Sequence, residues 1–304
     1  MTAPIDTPLR VLLTGATGQL GQALIAARPE AISLIACSRA ELDLADPEAC
    51  QAAVRERRPD WVLNAGGYTA VDRAECEPEL AWAVNAGAPA AFAEALADTG
   101  GRLLQISTDF VFDGCQGSPY RPGQQPSPLG VYGTTKAAGE RAVLEALPPG
   151  RGLVLRTSWL YGLVGSNFCR TMLRLHRVRA AAGEPLQVVA DQVGCPTSTL
   201  GLAQACWRAL GQPLPPILHW SDAGVASWYD FAVAIGELAV AAGLLEQAAQ
   251  VEPITTAGYP TPARRPSYSL LDCSTTRELL GLKPPHWRSA LAEVLEDLAV
   301  GAVS

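Results

Sequence analysis

Tyr132 and Lys136 are the two side chains whose types and spacing best suit chemistry in this sequence. They stand four residues apart in "GVYGTTKAAGE", an alanine-rich segment that predicts a helix, so both side chains project from one helix face. Reducing a ketone with hydride requires a proton for the developing alkoxide, and a tyrosine with a free pKa of about 10 is a slow donor unless its phenolate is stabilised. A lysine one turn away supplies that stabilisation and can also donate a hydrogen bond to a ribose. The pair predicts carbonyl reduction with a nicotinamide cofactor.

A glycine-rich turn supplies a place for such a cofactor. In "LLTGATGQLGQAL", Gly15, Gly18 and Gly21 lie between the first predicted strand and the first predicted helix. Gly15 permits a tight turn, Gly18 lets the backbone approach a pyrophosphate, and Gly21 allows the helix to pack closely on the sheet. The helix N-terminus then faces the anion. We expect this turn, including Gln19 and Leu20, to bind a dinucleotide.

The end of the second predicted strand indicates which dinucleotide is bound. An enzyme that selects NAD usually has an acidic residue there, which accepts a hydrogen bond from the ribose 2′-hydroxyl. This chain has Ser38 and Arg39 instead. A hydroxyl beside a cation suits a 2′-phosphate, so the sequence favours NADPH, with NADH as the alternative cofactor. The other interpretation of Arg39 is a solvated loop charge.

A third catalytic group is expected at the end of the fourth predicted strand, because ligands collect at the carboxyl ends of strands in a doubly wound sheet. The segment "LLQISTDFVFDG" places Ser107 and Thr108 at that point.

Strand-like apolar segments alternate with helical ones through the first half of the chain, at 9–14, 31–37, 60–64, 101–107 and 152–158. Continuous apolar character is typical of strands buried on both faces. We therefore predict an α/β fold with a doubly wound parallel sheet of the Rossmann type.

The pattern loosens after about residue 160, where Pro-rich joints such as "YPTPARRP" separate shorter elements. We predict a dinucleotide-binding domain over 1–160, to which segments around 195–220 return. A smaller, mainly substrate-binding lobe is predicted over 161–304.

Composition narrows the class of partner. The 304 residues are 48% hydrophobic and carry a formal net charge of −7, so the chain can bury a core and has no basic surface for nucleic acid. No secretory signal or membrane span is predicted, which indicates a cytoplasmic protein. The eight cysteines are spread singly without a CxxC pair, which argues against a zinc site. The expected partner is a small molecule.

The GxxGxxG spacing resembles the extended branch of the short-chain dehydrogenase/reductase superfamily. Further segments, which are spread over nearly the whole chain, point to one family within this superfamily. They are "YTAVDRAE", "STDFVFDG", "YGTTKAAGE", "RTSWLYG", "DQVGCPTS" and "WRSALAEVL". Together they resemble the dTDP-4-dehydrorhamnose reductase family. The resemblance implies NADPH-dependent reduction of the C4 ketone of dTDP-4-dehydro-6-deoxy-L-mannose to dTDP-L-rhamnose, the last step of dTDP-L-rhamnose synthesis.

The resemblance also implies roles for individual residues. Thr108 would be the catalytic hydroxyl and would contact the sugar with Asp109, Tyr132 would protonate O4, and Lys136 would lower the tyrosine pKa. Trp159 would pack on the substrate, with a buried core position as the alternative. The remaining residues implied to contact cofactor or substrate are Asp43 and Leu44 against the adenine, Ala65, Gly66 and Gly67 under the cofactor, and Thr69 and Val71 lining the pocket.

Two departures from the family pattern affect these expectations. Some members hold magnesium through glutamates at a dimer contact, one of them two residues after the last glycine of the turn. Gln22 and Ala23 stand there in this chain, so a metal site is doubtful and none is predicted; a homodimer is left open. Tyr268 replaces the asparagine of the family's "RPxNS", and we expect the floor of the substrate pocket to differ there.

Two other functions fit the same fold. A nucleotide-sugar epimerase or dehydratase would recycle its NAD internally. A non-catalytic regulatory subunit would bind NADP(H) without turnover, although intact Thr108, Tyr132 and Lys136 disfavour it.

Overall fold

A computed structural model describes residues 8–303 of the chain. Its strands are β1 (Leu9–Thr14), β2 (Ile32–Cys37), β3 (Trp61–Asn64), β4 (Arg102–Thr108), β5 (Gly152–Thr157), β6 (Leu160–Tyr161), β7 (Leu186–Val189), β8 (Val193–Gly194), β9 (Thr197–Ser198), β10 (Ile217–His219), β11 (Ala226–Ser227) and β12 (Val251–Ile254). Its α-helices are α1 (Gln19–Ala26), α2 (Pro47–Arg57), α3 (Val71–Ala74), α4 (Pro78–Trp82), α5 (Ala88–Thr99), α6 (Val131–Ala146), α7 (Phe168–Ala182), α8 (Thr199–Ala209), α9 (Trp228–Ala241), α10 (Ser274–Leu280) and α11 (Trp287–Val303).

The central sheet has six strands in the order β2-β1-β3-β4-β5-β10, and every neighbouring pair is parallel. After β1 the chain adds β2 on one side of β1 and then returns to add β3 on the other side. The direction in which strands are added therefore reverses between β1 and β3. The crevice at such a reversal, outside the carboxyl ends of the strands, is where ligands bind in open α/β sheets. The prediction of a doubly wound parallel sheet is confirmed.

Helices cover both faces of this sheet. Leu12 of β1 packs with residues of α2, α5 and α6 on one face, while Val11 and Leu13 pack with α1, α8 and α10 on the other. The alternation follows because successive side chains of a strand point to opposite faces. All three are fully buried, and each such side chain contributes about 1.5–3 kcal/mol to folding.

A second hydrophobic core lies apart from the sheet and is built by α7, α9, α11 and β7. Some segments after residue 160 belong to the central sheet and not to this second core. β10 is an edge strand of the sheet, and α8 and α10 pack on one of its faces. The division into two domains at residue 160 stays a prediction. Any such division must place β10, α8 and α10 in the domain that contains the central sheet.

The segment between β3 and β4 is interrupted, although its sequence reads as one long helix. A π-helical turn at Ala83–Gly87 separates α4 from α5. Pro89 lacks the amide that would donate to the carbonyl of Asn85 in a regular α-helix. The Asn85 carbonyl, which lacks this donor, lies against Gly139 of α6. Any larger residue at position 139 would clash, because its Cβ would be 2.1 Å from the carbonyl oxygen. Proline and glycine together let α5 and α6 approach closely.

In the part of the chain that the structure describes, no helix is both long and apolar enough to cross a membrane.

Candidate active site

A cavity of about 630 Å³ opens at the reversal between β1 and β3. The predicted site residues that line it are Gly15, Gly18, Gln19, Leu20, Arg39, Asp43, Leu44, Ala65, Gly66, Gly67, Thr69, Val71, Thr108, Asp109, Tyr132, Lys136 and Trp159. Gly21 and Ser38 are outside the lining. Residues predicted from widely separated segments are thus brought together at one place.

The glycine turn is packed tightly enough to exclude side chains. Gly15 has a φ of +65°, and a Cβ there would lie 2.7 Å from the Gly66 Cα. A Cβ on Gly21 would lie 2.1 Å from the Gly15 carbonyl oxygen. Gly21 is therefore needed for packing of α1 against the turn, and its contact with a cofactor stays a prediction.

The N-terminus of α1 has the donors that an anion requires. Gly18 occupies the N-cap position without a side-chain hydrogen bond, and the first turn holds no acidic residue. The first amides of a helix have no partner within the helix, and those of Gln19 and Leu20 border the cavity. This site fits the pyrophosphate of a dinucleotide.

Arg39 lines the cavity beside Asp43 and Leu44. Arg39 is 76% exposed and its Nε lies 3.8 Å from the Asp43 carboxylate. Ser38 is turned away, because its hydroxyl and its backbone N–H both donate to the Glu41 carboxylate at 2.8 Å. Arg39 is thus exposed with a loose contact to Asp43, whereas Ser38 is engaged with Glu41 and does not line the cavity.

Lys136 is buried on α6 and its amine donates to the Ile106 carbonyl at 2.7 Å. Burial lowers the pKa of Lys136 to about 8, partly offset by the charge of Glu140. The amine also lies near Gly67, since a Cβ there would be 3.8 Å from Nζ. Lys136 therefore stands between β4 and the loop that follows β3.

Tyr132 borders the same cavity, one turn before Lys136. Its ring packs edge-to-face on Phe110, with centroids 5.6 Å apart. Burial raises the pKa of Tyr132 to about 12, a hydrogen bond with Thr108 lowers it, and the charge of Asp109 raises it. Burial dominates here, so the lowering of this pKa by Lys136 stays a prediction.

Thr108 and Asp109 form the third part of the site. The Thr108 hydroxyl donates to Asp109 Oδ1 at 3.1 Å and accepts from the Phe110 amide at 3.1 Å. Within residues 8–303, the buried Asp109 Oδ2 has no partner that meets hydrogen-bond geometry. Burial raises the pKa of Asp109 to about 6, against the lowering effects of the Ser269 and Thr108 hydroxyls. Asp109 thus borders the cavity while its second carboxylate oxygen is shielded from solvent.

A buried ion pair lies directly behind the site. Arg156 of β5 donates to both carboxylate oxygens of Glu140, at 2.9 and 2.6 Å, and the side chains are 1% and 3% exposed. The Ser107 hydroxyl donates to the same carboxylate. His219 faces Arg156 Nη1 at 3.3 Å, and burial followed by the Arg156 charge lowers the pKa of His219 to about 3. His219 is therefore neutral.

Sequence reasoning missed Asn85, which holds the loop after β3 in place. Its Oδ1 accepts from the Tyr68 amide at 2.9 Å, and its Nδ2 donates to the Tyr68 carbonyl at 3.0 Å. Nδ2 also donates to Thr135 of α6 at 3.2 Å. The sequence signal that could have indicated this position is Pro89, because a proline interrupts the helical hydrogen bonding to the residue four positions before it.

Sequence reasoning also missed the lining residues that lie beyond residue 160, namely Ser166, Asn167, Phe168, Trp228 and Arg265. The Asn167 amide donates to Gln19 Oε1 at 2.8 Å, and Gln19 donates to the Ser166 carbonyl at 3.2 Å. Arg265 is held by Asp72 through two hydrogen bonds of 3.0 and 2.8 Å. These contacts join the loops of β1 and β3 to the chain beyond residue 160.

Tyr268 is not among the residues that line the cavity. It packs against the cluster of Val111, Phe112 and Leu271. The expected difference in the floor of the substrate pocket stays a prediction.

No group of three or more His, Cys, Asp or Glu side chains in residues 8–303 could hold a metal ion. The prediction of a metal-free site stays a prediction.

Residues 9–300 match the family described as the RmlD substrate binding domain. A dTDP-4-dehydrorhamnose reductase of Streptomyces griseus is 43% identical over 300 residues, which cover 96% of this chain and 94% of that protein. The chain belongs to the dTDP-4-dehydrorhamnose reductase family. Another dTDP-4-dehydrorhamnose reductase, of Aggregatibacter actinomycetemcomitans, is 38% identical over 94% of this chain and 98% of its own length.

A solved structure supports the same family. The dTDP-4-dehydrorhamnose reductase of Bacillus anthracis in complex with NADP has a TM-score of 0.87 and 34% identity, covering 95% of this chain and 99% of its own. The resemblance found in the sequence motifs is confirmed.

Proposed function

We propose that this chain reduces the C4 ketone of dTDP-4-dehydro-6-deoxy-L-mannose to dTDP-L-rhamnose with NADPH, in the cytoplasm. The observation that carries the proposal is that Thr108, Tyr132 and Lys136 border one cavity with an uncapped helix N-terminus. Membership of the reductase family supports it, as does the NADP complex of a relative that is 34% identical.

The residues present fit NADPH. The amides of Gln19 and Leu20 would hold the pyrophosphate, and Arg39 would meet the 2′-phosphate. Asp43 and Leu44 would lie against the adenosine, and Ala65, Gly66 and Gly67 against the cofactor. The Lys136 amine, which lies beside Gly67, would donate a hydrogen bond to the ribose. When bound, NADPH supplies the hydride that reduces the carbonyl carbon.

Side chains of the protein supply the proton that the reduced ketone oxygen requires. Tyr132 donates its hydroxyl proton to the ketone oxygen, which becomes the O4 hydroxyl. The ammonium of Lys136 stabilises the phenolate that remains. Thr108 and Asp109, which both line the cavity, orient the sugar. Thr69, Val71 and Trp159 enclose the ligands and exclude water.

The test is consumption of NADPH when dTDP-4-dehydro-6-deoxy-L-mannose is added to the protein. The reductase consumes one NADPH for each dTDP-L-rhamnose formed. An epimerase or dehydratase changes the sugar without net consumption, and a regulatory subunit changes neither compound. Either of these results would contradict the proposal.

Replacing Arg39 by Asp should shift cofactor preference toward NADH. The guanidinium can give a 2′-phosphate charge-assisted hydrogen bonds, whereas a carboxylate repels the phosphate and accepts from a 2′-hydroxyl. We expect the NADPH/NADH ratio of kcat/KM to fall at least about tenfold. Arg28→Asp is the matched control, because Arg28 is exposed and outside the cavity lining. An unchanged ratio in Arg39→Asp would show that Arg39 does not contact the cofactor.

The reaction should slow in alkaline solution as Lys136 loses its proton. The pKa of Lys136 is lowered from 10.5 to about 8 by burial, so the amine is charged below that pH and neutral above it. We expect kcat/KM for NADPH, which reports the free enzyme, to fall as pH rises through about 8. A Lys136→Arg variant, whose side chain stays charged, should be slower but lack this fall. A wild-type profile that stays level through the titration would contradict the assigned role.

A further inference from the structure

Tyr132 lies in the first turn of α6, the part of a helix that its own hydrogen bonds hold least. Gly130 is the N-cap residue and has no side chain to cap the helix, and the first turn contains no acidic residue. The first hydrogen bond along the helix runs from the Thr134 amide to the Gly130 carbonyl at 3.0 Å. The amides of residues 131–133 therefore require partners outside α6. Without such partners, the end of a helix frays.

Glu75 supplies a partner from another element. It directly follows α3, and its Oε1 accepts from the Val131 amide at 2.8 Å. A carboxylate at this position also interacts favourably with the positive end of the helix macrodipole. The start of the helix that carries Tyr132 is thus held by a residue 56 positions before Val131.

Gly130 makes room for this carboxylate. A Cβ at position 130 would lie 2.5 Å from Glu75 Oε1 and 3.6 Å from Glu75 Cδ. The backbone of Gly130 is extended, with φ −149° and ψ 179°, a conformation open to any residue. The absence of a side chain at position 130 is therefore required by the Glu75 carboxylate and not by the backbone conformation.

The same first turn is seated against the segment that follows β4. A Cβ on Gly133 would lie 2.2 Å from the Phe110 carbonyl oxygen, and the Phe110 ring packs edge-to-face on Tyr132. Glu75, Phe110 and Tyr132 border one narrow crevice. The contact with Glu75 therefore keeps the first turn of α6 in place beside Phe110, which comes two residues after Thr108.

The segment that carries Glu75 is itself anchored. Asp72 of α3 accepts from the Ala263 amide at 3.2 Å and pairs with Arg265 at 2.8 Å. Val71, the first residue of α3, lines the cavity. Glu75 thus extends from a helical turn that is fixed against a distant part of the chain and borders the cavity.

We infer that Glu75 is a positioning residue, which caps α6 and thereby holds the Tyr132 hydroxyl where it donates its proton. The inference rests on the proposed function, because it requires Tyr132 to be the proton donor. Lys136 lies in the next turn, where the backbone amides have partners within the helix. Loss of the cap should therefore lower turnover and leave cofactor affinity unchanged.

The test measures kcat with the ketosugar at saturating NADPH, and the Kd for NADPH by fluorescence titration. In Glu75→Ala we expect kcat to fall about 10–100-fold, the effect of a small displacement of a reacting group, while the Kd for NADPH stays at the wild-type value. In Glu75→Gln the amide oxygen still accepts from the Val131 amide, so kcat should return close to the wild-type value.

Gly130→Ala tests the same hydrogen bond without removing a side chain. Its Cβ would displace the Glu75 carboxylate, so kcat should fall as it does in Glu75→Ala. This variant also provides the test if Glu75→Ala does not fold. Gly130→Ala should have no effect in Glu75→Ala protein, because the carboxylate that its Cβ would meet is then absent.

A double variant with Tyr132→Phe distinguishes positioning from general damage. The residual rate of Tyr132→Phe should not fall further when Glu75→Ala is added, because the hydroxyl that Glu75 positions is already absent. Such non-additivity is expected of residues that act through one group and not of independent sites.

Asp46→Ala is the matched control for loss of a helix cap. Asp46 caps α2 by accepting from the Ala49 amide at 3.0 Å, and it is outside the cavity lining. The melting temperature should fall in Asp46→Ala about as it does in Glu75→Ala, because each variant removes one N-terminal cap. The kcat of Asp46→Ala should equal that of the wild type.

The outcomes separate this inference from the proposed function. Wild-type kcat in both Glu75→Ala and Gly130→Ala overturns the inference alone, since the cap would then serve stability only. A loss in Glu75→Ala that is equally large in the Tyr132→Phe background overturns it as well. A wild type that does not consume NADPH with the ketosugar overturns the proposed function, and this inference with it.

Discussion

Replacing Tyr132 by Phe will lower kcat/KM for the ketosugar by about 10²–10⁴-fold, the contribution typical of a positioned proton donor. The change removes only the hydroxyl, because the ring and its edge-to-face contact with Phe110 remain. In the proposed complex, groups at the other end of the cavity and Lys136 hold the cofactor. The Kd for NADPH should therefore stay within about twofold of the wild type.

The measurements are steady-state kinetics with the ketosugar and fluorescence titration with NADPH. Tyr259→Phe is the matched control, because Tyr259 is 61% exposed and outside the cavity lining. Wild-type rates in Tyr132→Phe would remove this residue from the mechanism. Equal losses in turnover and in NADPH affinity would instead indicate that the hydroxyl holds the cofactor.

Replacing Arg156 by Met should lower the free energy of unfolding by about 3–5 kcal/mol. Arg156 and Glu140 are both almost completely buried and share two hydrogen bonds. Removing the guanidinium leaves the Glu140 carboxylate without its counter-ion in a place that water does not reach. Among residues 8–303, the Ser107 hydroxyl is the donor to the carboxylate that would remain.

Urea denaturation measures this loss, and α6 itself offers the control. Arg141 and Glu145 form an ion pair on the same helix, but both side chains are 71% exposed and the atoms are 4.0 Å apart. Arg141→Met should cost less than about 1 kcal/mol, as is usual for solvated pairs. Equal effects of Arg141→Met and Arg156→Met would contradict the importance of burial.

The sequence predicted the parts of this fold whose signals are local. Strands β1 to β5 are continuous apolar segments, and burial on both faces of a parallel sheet requires just such segments. Gly15 and Gly18 follow the first of them directly, and the four-residue interval of Tyr132 and Lys136 is one helical turn. In each case the residues that carry the prediction are neighbours in the chain.

The remaining parts depend on contacts between distant segments. Trp228 stacks on a residue 69 positions earlier in the sequence, and nothing in either local pattern indicates the pairing. Ser38 was assigned to the cofactor because its neighbour is a cation, but the carboxylate of Glu41 takes its hydroxyl. Tyr268 was assigned by its place in a motif, whereas its surroundings in the fold decide where it packs.

The hydrogen bond between Gln19 and Asn167 joins the starts of two helices. Asn167 caps α7 by accepting from the Arg170 amide, and its Nδ2 donates to the first residue of α1. The positive ends of two helices therefore meet beside one cavity, and each peptide macrodipole presents roughly half an elementary charge there. Together they place about one positive charge, carried by backbone alone, in a chain whose formal net charge is −7. This local field attracts phosphates against the repulsion of the whole molecule, and because it comes from aligned peptide groups it persists at every pH at which the helices are folded.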